Sequence, residues 1–369
     1  MEKALEKVVV LIPSLEPDAI LMEYVKGLLS RNYMQVLVVD DGSGEAYAAV
    51  FDALEALEGC TVLHHAQNCG KGAALKTGYA YIQKMLPACV GVVTADADGQ
   101  HAAEDVKKLA LAAANTSGTL LLGSRDFSES HVPFKSRYGN RITSGVFCML
   151  YGKWLPDTQT GLRAFSTSLL EKMIAVRGER FEYETQVLID CVRAHIPMQA
   201  ITIQTLYEND NSGTHFHPFR DSAKIYKVLF GNFFKFFSSS IAATCIDLLL
   251  AWTIMDVLRA PLAGHDFLRI AIATAGARVV SAGVNFTLNK YVVFQHKQKT
   301  GTALWRYVLL CVLVASLSAL SVTLLHTLLG VNEKLAKVLC DTCLFILSYQ
   351  AQARWVFSQK ENKSLSKSE

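Results

Sequence analysis

Two aspartates one residue apart, Asp96 and Asp98, close the run Val90-Gly-Val-Val-Thr-Ala-Asp-Ala-Asp-Gly-Gln-His101. Carboxylates so spaced at a strand end can share one hard divalent cation, which neutralises a substrate diphosphate. An apolar strand leading into Asp-x-Asp-Gly also opens haloacid-dehalogenase phosphatases, where the first Asp is a nucleophile. Those chains carry the motif near their start with Thr or Val after it, whereas here it ends the fourth apolar run and Gln100 follows. Two other polar clusters follow apolar runs, Pro13-Ser14-Leu15-Glu16 and Asp40-Asp41-Gly42-Ser43. A strand-end carboxylate can accept the N3 hydrogen of a uracil or the hydroxyls of a ribose. Asn68-Cys69-Gly70-Lys71-Gly72, running into a helix, offers amides and a cation to phosphate. No Gly-x-Gly-x-x-Gly follows the first run and no Walker A pattern occurs, which disfavours nicotinamide and P-loop chemistry.

The elements that must hold these residues are short β-branched runs, Val8–Ile12, Val36–Val39, Thr61–Leu63, Val90–Thr94 and Thr119–Leu122, alternating with helix-like segments. That alternation predicts an α/β domain over residues 1–215 built on a mostly parallel sheet. Open sheets of this kind bind ligands at the carboxyl ends of their strands, so one cleft can collect all three polar clusters.

Beyond this the composition changes. Hydrophobic residues make up 51% of the 369, charged residues 19%, and mean hydropathy is +0.24, too apolar for an ordinary soluble enzyme. Residues 216–232 read as an amphipathic interfacial helix, with Arg220, Lys224 and Lys227 on one face and Ile225, Val228 and Leu229 largely off it; a surface helix packed on the α/β domain is the competing reading. Residues 233–358 hold four candidate spans, Phe233–Leu258, Ile270–Val293, Tyr307–Val331 and Val338–Phe357. Lys290 at the end of the second span is followed by Lys297, Lys299 and Arg306 before the third, and Arg354 at the end of the fourth is followed by the basic tail 359–369, so the positive-inside rule puts both termini and the α/β domain in the cytoplasm of a multi-pass cell-membrane protein. The apolar run Val8–Ile12 is too short for a signal-peptide core. An internal echo sets Asn285-Phe286 before Val293-Phe294 as Ser348-Tyr349 stands before Val356-Phe357, and the same shift lays Arg278 on Asp341; a parallel repeat of two helical hairpins and coincidence explain it equally.

The first part is slightly acidic and the later cations lie beside apolar spans, which argues against nucleic acid as a partner. Nine scattered cysteines form no disulfide framework, and Cys340-Asp-Thr-Cys343 inside an apolar run reads as packing.

The ordered motifs Ile12-Pro13, Val39-Asp40-Asp41-Gly42-Ser43, Asn68-x-Gly70-Lys71-Gly72, Asp96-x-Asp98-Gly99-Gln100, Gly123-Ser124-Arg125 and Asp157-x-Gln159-Thr160-Gly161-x-Arg163 resemble glycosyltransferase family 2, most closely its polyprenyl-phosphate branch of dolichyl-phosphate mannose synthase and GtrB-type enzymes. Arg278-x-x-Ser281, Asn285-Phe286, Asn289-Lys290 and Arg354-Trp355-Val356-Phe357 resemble the four-span GtrA family. The resemblance implies a GT-A nucleotide-sugar-binding fold with a C-terminal four-helix transmembrane domain. It implies an inverting, metal-dependent transfer of a monosaccharide from a nucleotide sugar to a polyprenyl (undecaprenyl) phosphate lipid at the cytoplasmic face; as donor, a UDP-hexose is favoured over GDP-mannose. It further assigns Mg²⁺ or Mn²⁺ to Asp96 and Asp98, and the nucleotide sugar to Pro13, Ser14, Glu16, Asp40, Asp41, Asn68, Lys71, Asp96, Ala97 and Gln100. Leu15 stands where the family carries an aromatic residue.

Acceptor chemistry narrows the remaining roles. A phosphate monoester is mostly dianionic at pH 7 and needs little deprotonation; it needs cations that offset its repulsion from the donor diphosphate. Arg125, Arg137 and Arg141 are candidates, with Gln159 and Arg163 from the shared motif and His215 and Arg220 beside the interfacial helix. Asp157 is then the family's catalytic carboxylate, orienting the acceptor or the metal shell more than taking a proton. Glu182 and Glu184 begin a helix, where their charges complement its dipole whether or not they serve the site. The rival from another class is a lipid-linked sugar transporter whose α/β domain only binds nucleotide sugar or regulates, and a homo-oligomer is compatible with either.

Overall fold

The computed structural model describes residues 2–127, 134–204, 218–296 and 300–357. The chain forms two compact units, Met1–Leu229 and Phe230–Glu369. In the first, a seven-stranded sheet runs in the order β3-β2-β1-β4-β6-β5-β7. Its strands are β1 (Val8–Ser14), β2 (Gln35–Asp40), β3 (Cys60–His64), β4 (Gly91–Thr94), β5 (Leu120–Arg125), β6 (Arg163–Ser166) and β7 (Met198–Ile203). The five expected runs are all strands; β6 and β7 add to them. The sheet is mixed, because β6 runs antiparallel between β4 and β5.

The parallel half builds the ligand edge. β1 pairs with β2 on one side and β4 on the other, with Ser14 opposite Asp40 and Leu11 opposite Thr94. Chain order reverses direction between β1 and β4, and a crevice opens beyond the strand ends at such a reversal. Val8–Ile12, Val36–Val39, Val92 and Val93 are buried, as strands covered on both faces must be. The helices are α1 (Ile20–Leu29), α2 (Ala48–Glu55), α3 (Lys71–Met85), α4 (Ala103–Asn115), α5 (Phe134–Tyr151), α6 (Leu170–Ala175) and α7 (Glu182–Arg193).

The expected interfacial helix is not a separate element. It is the start of α8 (Pro218–Val257), a continuous 40-residue helix. Within the first unit, Ile225 and Leu229 are buried on it and the Tyr151 hydroxyl donates to the Leu229 carbonyl at 2.8 Å. This part of the helix is therefore tied to α5 of the same unit.

In the second unit α8 is followed by α9 (Asp266–Leu288), α10 (Thr300–Leu329) and α11 (Glu333–Ala351). Three helical stretches, Ser222–Val257, Asp266–Val293 and Thr300–Leu329, are long and apolar enough to cross a membrane; among the described residues α11 does not qualify, so four spans are expected and three meet the criterion. Glu333, Lys334, Lys337 and Asp341 are what α11 carries against it. The internal echo has a structural counterpart. α9 and α11 each end in a π-helical turn, Asn289–Val293 and Gln352–Val356. The Phe294 and Phe357 rings just beyond them stack at 5.2 Å.

Candidate active site

The strand-end carboxylates are held by different means. Asp40 ends β2 and its Oδ1 accepts from the Ser43 amide (2.9 Å) and hydroxyl (2.6 Å), while Oδ2 meets His64 Nδ1 at 3.0 Å. Burial would raise this carboxyl, but the Ser43 and His64 hydrogen bonds bring it below the usual carboxylate range. The Ser43 hydroxyl also accepts from the Glu16 amide at 2.8 Å, tying the β1 loop to the end of β2, and Glu16 itself has φ +47°. Pro13 is half-buried, Ser14 is buried and Glu16 is exposed at this edge.

Asp41 is spent on the neighbouring loop. Its oxygens accept from the Cys69 amide (2.9 Å) and the Gly70 amide (2.7 Å) and meet His65 Nδ1 at 2.8 Å. Asp41, His65 and Cys69 also place potential ligand atoms within 4.8 Å of one another, a donor set different from the expected Asp96 and Asp98. Asn68 is exposed and accepts from Arg180 at 3.2 Å. Packing explains the glycines here: a Cβ on Gly70 would stand 2.5 Å from the Glu179 carbonyl oxygen, and one on Gly72 would stand 2.5 Å from Tyr183 Cβ.

That packing brings α7 to the head of α3. Lys71 Nζ lies 2.7 Å from Asp96 Oδ1 and 3.2 Å from Glu184 Oε2. Burial would lower the ammonium's pKa, yet the charges of Asp96 and Glu184 raise it well above the usual value. Burial would likewise raise the Asp96 carboxyl, but Lys71, His101 and Arg125 hold it at about 2. The Asp96 amide lies 3.2 Å from His101 Nδ1, and the ring's Nε2 lies 4.0 Å from Asp96 Oδ2. Asp98 accepts from the Gln100 amide at 3.1 Å across the turn at Gly99. Its carboxyl is raised, first by burial and then by the charge of Asp96. Two partly exposed carboxylates, one of them raised by the charge of the other, with Ala97 between them, suit a hard divalent cation.

Asp157 is fully buried. Its Oδ2 accepts from Arg125 Nε at 2.7 Å and its Oδ1 from Arg125 Nη2 at 3.2 Å and from the Gln159 amide at 3.0 Å. The same loop reaches Asp96: the Thr94 hydroxyl donates to the Gly161 carbonyl at 2.8 Å, and a Cβ on Gly161 would fall 2.3 Å from Asp96 Oδ2. The structure thus joins Lys71, Asp96, Arg125 and Asp157 in one chain of contacts. It does not bring Arg163 to the surface; that side chain is 5% exposed and donates to the Thr160 and Glu184 carbonyls at 3.0 and 2.7 Å. Arg137 and Arg141 lie one turn apart on α5, Arg141 exposed, and Gln159 is exposed. His215 and the side chain of Arg220 lie outside the described residues.

His101 and Glu184 belong to the site although sequence reasoning did not select them. His101 stands five positions after Asp96, inside the motif, and Glu184 was read as a helix-start charge.

Comparison with known proteins defines the class. Residues 9–174 match the family described as Glycosyl transferase family 2, and residues 235–357 match the one described as GtrA/DPMS, transmembrane domain. The chain joins a glycosyl transferase family 2 domain to a GtrA/DPMS transmembrane domain: it is a glycosyltransferase and a membrane protein. It is 29% identical over 214 residues to the UDP-N-acetylglucosamine–dolichyl-phosphate N-acetylglucosaminyltransferase of Methanococcus voltae, covering 53% of this chain and 84% of the relative. It is 30% identical over 153 residues to the polyprenol monophosphomannose synthase of Mycolicibacterium smegmatis, covering 38% of this chain and 54% of that one. Glucosyl-3-phosphoglycerate synthase from Mycobacterium tuberculosis, solved with Mn²⁺, UDP and product, superposes with a TM-score of 0.47 at 16% identity over 62% of this chain and 81% of the other.

Proposed function

We propose that this glycosyltransferase moves a monosaccharide from a nucleotide sugar, a UDP-hexose in preference to GDP-mannose, to a polyprenyl phosphate, undecaprenyl phosphate in a bacterium, inverting the anomeric centre. The observation that carries the reading is the convergence of Asp96, Lys71, Arg125 and Asp157 beyond the β1–β4 reversal. Relatives named as a dolichyl-phosphate N-acetylglucosaminyltransferase and a polyprenol monophosphomannose synthase support the lipid acceptor.

Asp96 and Asp98 would hold Mg²⁺ or Mn²⁺, whose positive charge stabilises the departing nucleotide diphosphate. Pro13, Ser14, Glu16 and Asp40 line the nucleoside end, and Asp41 acts there through the Cys69–Gly70 loop it builds. Asp157 aims the Arg125 fork, which offsets repulsion between the incoming lipid phosphate and the donor. Arg137, Arg141 and Gln159 extend that cationic and polar side. A dianionic phosphate needs no proton removed, so a buried, ion-paired Asp157 suits positioning better than base chemistry.

The apolar helices of the second unit, taken as four spans with both termini cytoplasmic, keep the acceptor's headgroup at the face that holds the donor. The rival reading, translocation of the lipid-linked sugar, draws on Arg278, which sits on α9 with a side chain 71% exposed and 3.2 Å from Asp247. Incubating the purified full chain with polyprenyl phosphate and a panel of UDP- and GDP-sugars, with Mg²⁺ or Mn²⁺, then weighing the lipid product, tests the proposal. A lipid heavier by one sugar residue, joined through the phosphate already present, is expected; no product with any donor would overturn the proposal.

A further inference from the structure

Lys71 occupies the carboxylate that a divalent cation would need. Its ammonium is 2.7 Å from Asp96 Oδ1, and Mg²⁺ or Mn²⁺ bonds oxygen at about 2.1 Å, so a divalent cation on that oxygen would stand at most about 5 Å from the ammonium, and one on Oδ2 at most about 7 Å. Between them no anion would intervene except the carboxylate itself. One oxygen of the carboxylate pair is therefore neutralised without a metal, and a metal that enters the pair meets the charge of the ammonium.

The geometry also supplies where the ammonium goes. Lys71 is the first residue of α3, and its backbone is fixed from both sides by the contacts of Gly70 with Glu179 and Arg180 and of Gly72 with Tyr183. Glu184 follows Tyr183 in the first turn of α7 and already meets the ammonium at 3.2 Å. Lysine's stem is flexible and its donors rotate, so the ammonium can give up Asp96 and keep Glu184 with no backbone movement. Glu184 is 13% exposed and Lys71 17%, which makes each the other's retained partner when Asp96 is withdrawn.

We propose that Lys71 is the resident counter-cation of the donor site: with no donor bound it neutralises Asp96, and it withdraws onto Glu184 when a divalent cation arrives with a nucleotide diphosphate. The diphosphate adds anionic oxygens that the released ammonium can meet, so metal and nucleotide bind as a cooperative pair rather than metal first. This rests on the reading of Asp96 and Asp98 as the metal pair. Lys71 acts here as a positioning residue, and its signature is in binding of the metal alone.

The test is a Mn²⁺ titration of the full-length protein in detergent, following bound and free Mn²⁺ by electron paramagnetic resonance, alone and with saturating UDP or GDP. Wild type should bind Mn²⁺ at least tenfold more tightly with the preferred nucleotide. Lys71→Met should bind Mn²⁺ alone at least tenfold more tightly than wild type and gain little from nucleotide, and Lys71→Arg should restore the wild-type pattern. Glu184→Gln, which removes the retreat, should bind Mn²⁺ alone more weakly; a folding defect would weaken both Lys71→Met and Glu184→Gln and cannot give opposite signs. Lys76→Met removes a nearby cation that lies over the Tyr183 ring and should change affinity less than twofold. If Lys71→Met binds Mn²⁺ alone no more tightly than wild type while wild type binds it with nucleotide, the counter-cation proposal falls and the donor-site reading stands. If wild type binds no Mn²⁺ with either nucleotide, or Asp96→Asn/Asp98→Asn binds it unchanged, the donor-site reading itself falls.

Discussion

Asn289 donates through Nδ2 to Gln352 Oε1 at 3.0 Å, and the two residues stand 63 positions apart at the first positions of the two π-helical turns. Each also donates to the residue four positions back, Asn289 to Asn285 at 3.1 Å and Gln352 to Ser348 at 3.2 Å. Val293 and Val356 are both buried, and Phe294 stacks on Phe357. One spacing thus relates hydrogen bonds, π-turns and ring stacking at once, the pattern that two helical hairpins repeated in parallel would give at a shared polar junction.

Asn289 is fully buried and Gln352 nearly so, and Asn289 Oδ1 also accepts from Ser239 at 2.6 Å. Replacing one partner leaves buried polar groups unsatisfied, at about 1–3 kcal/mol. Asn289→Leu and Gln352→Leu should each lower the thermal midpoint of the purified protein, while the double variant loses less than the sum of the two. A strictly additive double variant would show that the pair is not coupled.

The Arg125–Asp157 pair separates stability from turnover. Asp157→Asn leaves the Arg125 charge without its buried partner and should cost about 3 kcal/mol of stability, together with at least 100-fold in transfer. Arg125→Gln/Asp157→Asn should recover much of the stability, measured by denaturation, and none of the activity. Recovery of both would assign the pair to folding alone.

Asp40 predicts an acid limb. Burial raises its carboxyl, but the Ser43 and His64 bonds outweigh that, so the folded-state pKa lies below the unfolded value of about 3.9. The group's contribution is then complete above about pH 4 and lost as pH falls through the lower folded-state value. Ser43→Ala should shrink that contribution and flatten the acid side of a stability profile, leaving the neutral side parallel to wild type. An acid limb unchanged in Ser43→Ala would mean that the hydroxyl does not hold the carboxylate down.

These features differ in how far local pattern encodes them. The five β-branched runs announce β1 to β5 because burial on both faces demands continuous apolar residues. β6, Arg163–Ser166, gives no such pattern: it carries a buried arginine whose partners, the Thr160 and Glu184 carbonyls, come from elsewhere in the fold. Arg163 consequently reads as a phosphate ligand until its partners are visible. Asp96 and Asp98 are legible from spacing alone. The ammonium on Asp96 is not, because Lys71 and Glu184 are brought together across 113 positions by glycine packing on α7. The apolar face at Ile225 and Leu229 shows that a surface must be covered but not by what; protein and lipid headgroups would give the same pattern.

Gly161 tests whether the Asp157 loop and the Asp96 carboxylate work as one unit. The glycine's φ is ordinary, so its requirement is one of space: an added methyl would fall 2.3 Å from Asp96 Oδ2 and 2.6 Å from Oδ1. The Thr94 hydroxyl holds the Gly161 carbonyl and Lys71 holds the carboxylate, so neither side yields freely. A terminal carboxylate moves more cheaply than backbone, and Gly161→Ala should therefore displace Asp96 rather than unfold the domain. The expected outcome is a change in denaturation midpoint worth about 1 kcal/mol or less with at least a tenfold loss of transfer. A variant with unchanged transfer would mean that the carboxylate accommodates the methyl without leaving its working position.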